Sequence, residues 1–172
     1  MARALADLGT DVLPGVGCAV IGLSEVENNK VLDALVAQPE LAARGYKYCH
    51  VEGPDKRGID CALLYNPALF SVRDVKLVPY VYDLPKDSAR ATRGFLTVSG
   101  TMAGEHLTVV VCHWPSRGAS SHYREIAGTQ VKAVKDSLLR DDPNCKVMVM
   151  GDMNDDPTNK SMTDCLSCKP EI

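Results

Sequence analysis

Three apolar stretches of this chain run straight into residues able to hold a metal or move a proton. VIGL leads into Ser24-Glu25, TVVVC into His113, and VMVM into Gly151-Asp152, with Asn154 two residues beyond. A carboxylate can ligate a hard divalent cation or accept a water proton, and an imidazole or amide N–H can donate to an anionic oxygen. Side chains at the ends of rigid strands can be held in one convergent constellation. Each residue also has a plainer reading. Glu25 could be the first exposed residue after a strand, and His113 a satisfied core histidine. Asp152 and Asn154 could form a turn held by side-chain-to-backbone bonds. The same pattern at three strand ends favours chemistry.

The elements that must position these residues follow from apolar patterning. Residues 16–23 form a continuous apolar run rich in β-branched residues and predict a buried strand. YKYCHV (46–51), IDCALLY (59–65), FSVRDVKLV (70–78) and KVMVMGD (146–152) predict further strands. GFLTVSG and HLTVVVCH predict a hairpin turning between Met102 and Glu105. ARALADL predicts a short helix ending at Gly9. Asn28 or Asn29 can cap a second helix whose Val31, Leu32, Leu35 and Val36 share a face. Pro39 ends that helix or starts another short turn. Ala127, Val131, Val134 and Leu138 keep helical spacing from about 120 to 139, and a loop carries Pro79 and Pro85. Strands and helices alternate with hairpins among them, which predicts a mixed α/β protein in one domain.

Composition narrows the function classes. Hydrophobic residues make up 45% and charged residues 24% of 172 residues, an ordinary globular balance. No apolar run approaches a membrane span. A net charge of -3 gives no general attraction to nucleic acid. The loose basic pairs Lys56/Arg57, Arg90/Arg93 and Arg117/Arg124 read as solvated charges. Seven cysteines cannot all pair within one chain. Cys18, Cys61, Cys112 and Cys145 read as small core residues, and the lone Cys165-x-x-Cys168 pair has no second pair to complete a zinc site. This usage leans toward a reducing, cytoplasmic setting and leaves secretion open. Oligomeric state is not legible.

IGLSEVEN, RGIDCALLY, ATRGFLTV, VVVCHWPSR and VMVMGDMNDDP resemble, in order and in spacing, consecutive blocks of the deoxyribonuclease-I-like endonuclease/exonuclease/phosphatase superfamily. The resemblance spans nearly the whole chain. It implies a four-layered α/β sandwich, two packed mixed β-sheets flanked by helices. It also implies hydrolysis of phosphodiester or phosphomonoester bonds by activated water, as a nuclease or a relative of one. Glu25 would hold Mg2+, with Mn2+ as the alternative cofactor, and Asp152 would orient the attacking water. Asn154 would bond near the scissile phosphate, and His113 would donate to a non-bridging oxygen. Arg93 matches a phosphate-facing arginine, Arg117 would line the substrate groove, and Arg57 and Asp60 are candidates to line the site. The partner would be a phosphate ester: nucleic acid, nucleotide, phospholipid or sugar phosphate. Asp155, Asp156 and Pro157 read as a solvent-facing turn, and His50 and His122 carry no signal.

The superfamily pattern also includes a first strand with a metal-side asparagine and a final Ser-Asp-His block. Neither occurs here, so the chain reads as truncated at both ends. The rival reading is a non-catalytic module that keeps the fold to bind a phosphorylated ligand or a partner. A redox or zinc role for Cys165 and Cys168 is the remote third.

Overall fold

The run Asp60–Tyr65 shows how the layers arise, because it is buried on both faces. Successive strand side chains point to opposite faces, so Cys61 and Leu63 go one way and Ala62 and Leu64 the other. This strand, β3, is the centre of a three-stranded sheet. It pairs antiparallel with β1 (Val20–Val26) and β2 (Lys47–His50) in the order β1-β3-β2. The computed structural model describes residues 1–81 and 92–169. The expected loop segment through Pro85 and Arg90 lies outside the described residues.

A second sheet has the order β4-β5-β6-β7, built from Phe70–Val78, Phe95–Met102, Glu105–His113 and Lys146–Asp152. The β5–β6 hairpin turns at Ala103-Gly104, both at positive φ (51° and 82°), the conformation that suits the twist of antiparallel strands. β6 and β7 pair parallel, which requires a crossover. Helix α4 (Ser121–Asp141) supplies it, with the Ser120 hydroxyl accepting from the His122 N–H at 3.3 Å.

The sheets pack face to face. Cys49, Cys61 and Leu63 of the first meet Phe70, Leu96, Val98, Leu107, Val109 and Val111 of the second. Ile21, Ala62 and Leu64 turn outward to α1 (Ala2–Asp7), α2 (Asn29–Val36) and α3 (Pro39–Ala42), where Ala6, Leu32 and Leu41 cover them. Behind the second sheet, Phe95, Val110 and Cys112 meet Ala127 and Val131 of α4. Leu166, just past a π-helical turn (Ser161–Cys165), closes that layer. Each such fully buried Leu, Val or Phe contributes about 1.5–3 kcal/mol. The turn sits so close to α4 that a Cβ on Gly128 would lie 2.4 Å from the Ser161 carbonyl oxygen. The result is the expected layering of helices, sheet, sheet and helix.

Local differences from expectation have local causes. The first strand starts at Val20, because Gly17 turns the chain at φ 77°. Asn28 caps α2, its side chain accepting from the Val31 N–H at 3.1 Å, but Val31 itself faces solvent while Leu32 is buried. All seven cysteines are free; Cys49, Cys61 and Cys112 are buried, and Cys18 and Cys145 only partly so. Burial pushes the Cys49 thiol up to about 11 and the Cys61 thiol to about 12, so both stay protonated. Among the described residues, no helix is long and apolar enough to cross a membrane.

Candidate active site

Strand parity carries two of the three strand-end residues to the same place. On β6, Leu107, Val109 and Val111 face the space between the sheets, so His113 emerges at its mouth. On β7, Met150 packs into that space and Val147 and Val149 onto the α4 side, so Asp152 also faces the mouth. The parallel register places His113 opposite Asp152.

Glu25 would miss the mouth on parity alone. Ile21 and Leu23 of β1 face the helices, and an unbroken strand would send Glu25 after them. The register slips instead: Leu23 pairs with Ala62 and Val26 with Asp60, so Ser24 and Glu25 together oppose Cys61. Glu25 takes the left-handed conformation, φ 60°. A bulge of this kind bends the strand and re-aims a side chain. Its two consequences are visible. Val26 returns to the helix side, and the Glu25 carboxylate reaches His113, Oε1 to Nε2, at 3.9 Å. The Ser24 hydroxyl donates across the sheets to the Cys112 carbonyl at 3.4 Å.

The three groups therefore converge without touching. Asp152 Oδ2 lies 4.0 Å from His113 Nε2, and the Glu25 and Asp152 side chains are 64% and 54% exposed while His113 is 5% exposed. Both separations exceed hydrogen-bond length, leaving room for an oxygen from another molecule. The imidazole pKa is held below its ordinary value, first by burial and then by the Arg93 charge, against the opposing pull of Asp152 and Glu25. Nδ1 is buried without a hydrogen-bond partner. A neutral ring in that setting keeps its proton on Nε2, facing the carboxylates and the mouth. Among the described residues, neither Glu25 nor Asp152 Oδ2 has a cationic side chain beside it. The exposed Glu25 carboxylate is an oxygen donor of the kind a hard divalent cation takes while keeping several waters. No group of three or more His, Cys, Asp or Glu side chains among the described residues forms a closed metal cage.

The other expected residues divide between rim and interior. Asp152 Oδ1 accepts the Asn154 N–H at 2.9 Å, the side-chain-to-backbone turn of the plainer reading. Asn154, at φ 53°, donates its amide to the Trp114 carbonyl at 3.0 Å. Arg117 is at the rim, Nε donating to the Asn154 carbonyl at 3.2 Å and Nη2 2.9 Å from Asp156. Arg57 is exposed and its charge is felt at His113. Arg93 and Asp60 are instead interior. Arg93, 7% exposed, donates Nε to the His113 carbonyl and Nη2 to the Trp114 carbonyl, and Nη1 lies 2.8 Å from Asp55. Its expected phosphate-facing position is replaced by one behind the site, where those backbone acceptors hold it. Asp60 does not line the mouth either; Oδ1 accepts the Gly53 N–H and Oδ2 lies 3.3 Å from His50 Nε2, both side chains buried.

Two supports had no sequence signal of their own. Asp155, expected in a solvent-facing turn, is buried against Arg124 of α4, Nε to Oδ1 3.1 Å, with Ser161 and Asn159 donating at 2.6 Å each. Arg124 also donates to the Ser116 and Ala119 carbonyls, so one ion pair ties the loop after His113 to the loop after Asp152. Gly151 is required by close approach. At φ 127° a Cβ would lie 2.0 Å from the Cys112 carbonyl oxygen, and without that approach β7 could not carry Asp152 alongside His113.

A family model described as Endonuclease/Exonuclease/phosphatase family matches residues 1–171. Comparison with curated protein sequences returns no match. Solved structures do match in fold. ANGEL2, described as a 2',3'-cyclic phosphatase, superposes with a TM-score of 0.66 at 17% identity over 85% of this chain and 42% of its own. The human Nocturnin catalytic domain with bound sulfate gives 0.63 at 19% identity over 84% and 54%. D. rerio TDP2 complexed with single strand DNA product gives 0.64 at 17% identity over 95% and 56%. The chain thus spans about half the length of the solved structures it matches.

Proposed function

The chain belongs to the endonuclease/exonuclease/phosphatase family, and on that premise we propose that it is a metal-dependent phosphoesterase cleaving phosphodiester bonds of a nucleic acid or nucleotide with activated water. The observation that carries the reading is the open triangle of Glu25, His113 and Asp152, in which a buried imidazole stands 3.9 and 4.0 Å from two exposed carboxylates. A phosphodiester is anionic and repels nucleophiles, so its hydrolysis needs charge neutralised and water placed in line. Glu25 would hold Mg2+, or Mn2+ in its place, and the bound ion supplies Lewis-acid charge stabilisation. Asp152 has one oxygen fixed by the Asn154 N–H and turns the other toward the gap, where it orients water and accepts its proton. His113 donates Nε2–H to a non-bridging phosphate oxygen as charge builds there. The Asn154 amide, anchored on the Trp114 carbonyl, presents its remaining N–H to the same anion.

Among the structural neighbours, one is described as a 2',3'-cyclic phosphatase and another is complexed with single strand DNA product, which supports a nucleotide-derived ester over a phospholipid or sugar phosphate. The rival, a non-catalytic phosphate- or partner-binding module, draws on the lack of a closed metal cage among the described residues. Hydrolysis of bis(p-nitrophenyl) phosphate and of a short single-stranded DNA, each with Mg2+, with Mn2+ and with chelator, separates the two. Metal-dependent turnover lost in Asp152→Asn supports the enzyme. Metal binding without turnover on either substrate favours the module.

A further inference from the structure

Arg93 and Arg117 were expected to meet the substrate phosphate and Arg57 to line the site, and their surroundings differ. Arg93 is buried, with Nε and Nη2 on backbone carbonyls and Nη1 on Asp55. Arg117 is matched by Asp156 at 2.9 Å. Arg57 is more than half exposed, and among the described residues only its Nε is engaged, 3.3 Å from Asp55 Oδ1. Its forked Nη side, the face that binds a phosphate in bidentate fashion, has no protein acceptor there.

Asp55 explains how a surface arginine is held beside the site. Its side chain is 7% exposed and sits between two guanidinium groups. Oδ1 accepts the Arg57 backbone N–H at 2.9 Å and faces Arg57 Nε, while Oδ2 accepts from Arg93 Nη1 at 2.8 Å and the Thr92 hydroxyl at 3.4 Å. Arg93 in turn holds the backbone carbonyl of His113 at 3.1 Å. The carboxylate is therefore two hydrogen bonds from the main chain of the site histidine. Among the described residues, one carboxylate faces two guanidinium groups, which leaves an excess positive charge on the arginine that faces out. Arg57 is thus tied through Asp55 and Arg93 to the backbone of His113 at the end of β6. We propose that Arg57 is the arginine that binds the substrate phosphate and that Asp55 is its positioning residue, tied to the His113 strand end through Arg93. This rests on the phosphoesterase reading and assigns the cationic contact within it.

The test measures inorganic phosphate binding by 31P NMR line broadening, and bis(p-nitrophenyl) phosphate hydrolysis, on the full chain with Mg2+. Arg57→Ala should weaken phosphate at least tenfold and raise KM more than it lowers kcat, and Arg57→Lys should recover part of the loss. Asp55→Asn should weaken phosphate by a smaller factor. The double variant Asp55→Asn/Arg57→Ala should bind no more weakly than Arg57→Ala alone, because residues acting through one contact are not additive. Independent, additive losses would overturn the positioning role of Asp55. Wild-type phosphate binding in Arg57→Ala, alongside metal-dependent turnover, would overturn the assignment and leave the phosphoesterase reading standing. A wild-type chain that neither binds phosphate nor turns over substrate would overturn both.

Discussion

Glu25 and His113 belong to different sheets, yet Oε1 and Nε2 end 3.9 Å apart because a bulge turns Glu25 out of the alternation of its own strand. The left-handed backbone at Glu25, φ 60°, is unfavourable for a residue with a Cβ by about 1–2 kcal/mol. Glu25→Gly should therefore be more stable than Glu25→Ala by about 1 kcal/mol, while both lose metal-dependent turnover to the same extent. Denaturant unfolding of both variants beside the activity assay checks this. Equal stability of the two would mean the backbone there is relaxed.

Asp152→Asn keeps the Oδ1 that accepts the Asn154 N–H, so its stability should stay within about 0.5 kcal/mol of wild type while turnover falls ~100-fold or more. His113→Asn should lose comparable activity and also about 1–2 kcal/mol of stability, because the imidazole fills a buried wall. Thermal unfolding and hydrolysis, measured on the same samples, separate the two effects. An Asp152→Asn chain with near-wild-type turnover would remove Asp152 from the chemistry.

The buried Arg124–Asp155 pair should make the fold acid-sensitive. Burial raises the Asp155 pKa, but hydrogen bonds from Ser161, Asn159 and Arg124, with the Arg124 charge, outweigh it and hold the carboxyl below its ordinary value. Its contribution is then complete above the unfolded pKa, about 3.9, and is lost as pH falls through the lower folded value. Asp155→Asn should cost about 3–5 kcal/mol near neutrality, since it leaves a buried guanidinium unpaired. The gap to wild type should narrow below about pH 4. Unfolding curves across that range decide it, and a gap independent of pH would rule out the charge as its source.

Gly151→Ala should fail to fold or should lose more than about 4 kcal/mol, because the added carbon meets the Cys112 carbonyl oxygen at 2.0 Å on a backbone at φ 127°. Circular dichroism melting of the purified variant is the measurement. A wild-type melt would show that β7 can move away from β6 without cost.

Apolar patterning made strands legible even where they are only half-buried. β4 and β7 occupy the expected 70–78 and 146–152, and the hairpin turns at Ala103-Gly104, between Met102 and Glu105 as expected. The strand-end positions of His113 and Asp152 were legible too, whereas Glu25, expected at a strand end, lies within β1 with Val26 paired beyond it. Residues whose partners are distant in sequence were not. Nothing near Arg93 announces the carbonyls of His113 and Trp114 that bury it, and nothing near Asp155 announces Arg124. His50 carried no signal because its neighbours, Asn29 and Asp60, come from other elements. The bulge at Glu25 was equally hidden, since an unbroken strand of the same composition would send that side chain to the opposite face.

The parallel pairing of β6 with β7 also fixes when the site can exist. His113 and Asp152 become neighbours only after the whole of α4 has crossed between their strands, and Glu25 arrives from a sheet completed on the other side of the core. Closing such long loops is entropically unfavourable until the contacts beyond them form, so non-local pairings assemble slowly. The helices and the β5–β6 hairpin can form from near neighbours, whereas the triangle of acids and histidine cannot. During refolding, helical signal should return before catalysis does, which makes recovered activity a reporter of finished tertiary assembly.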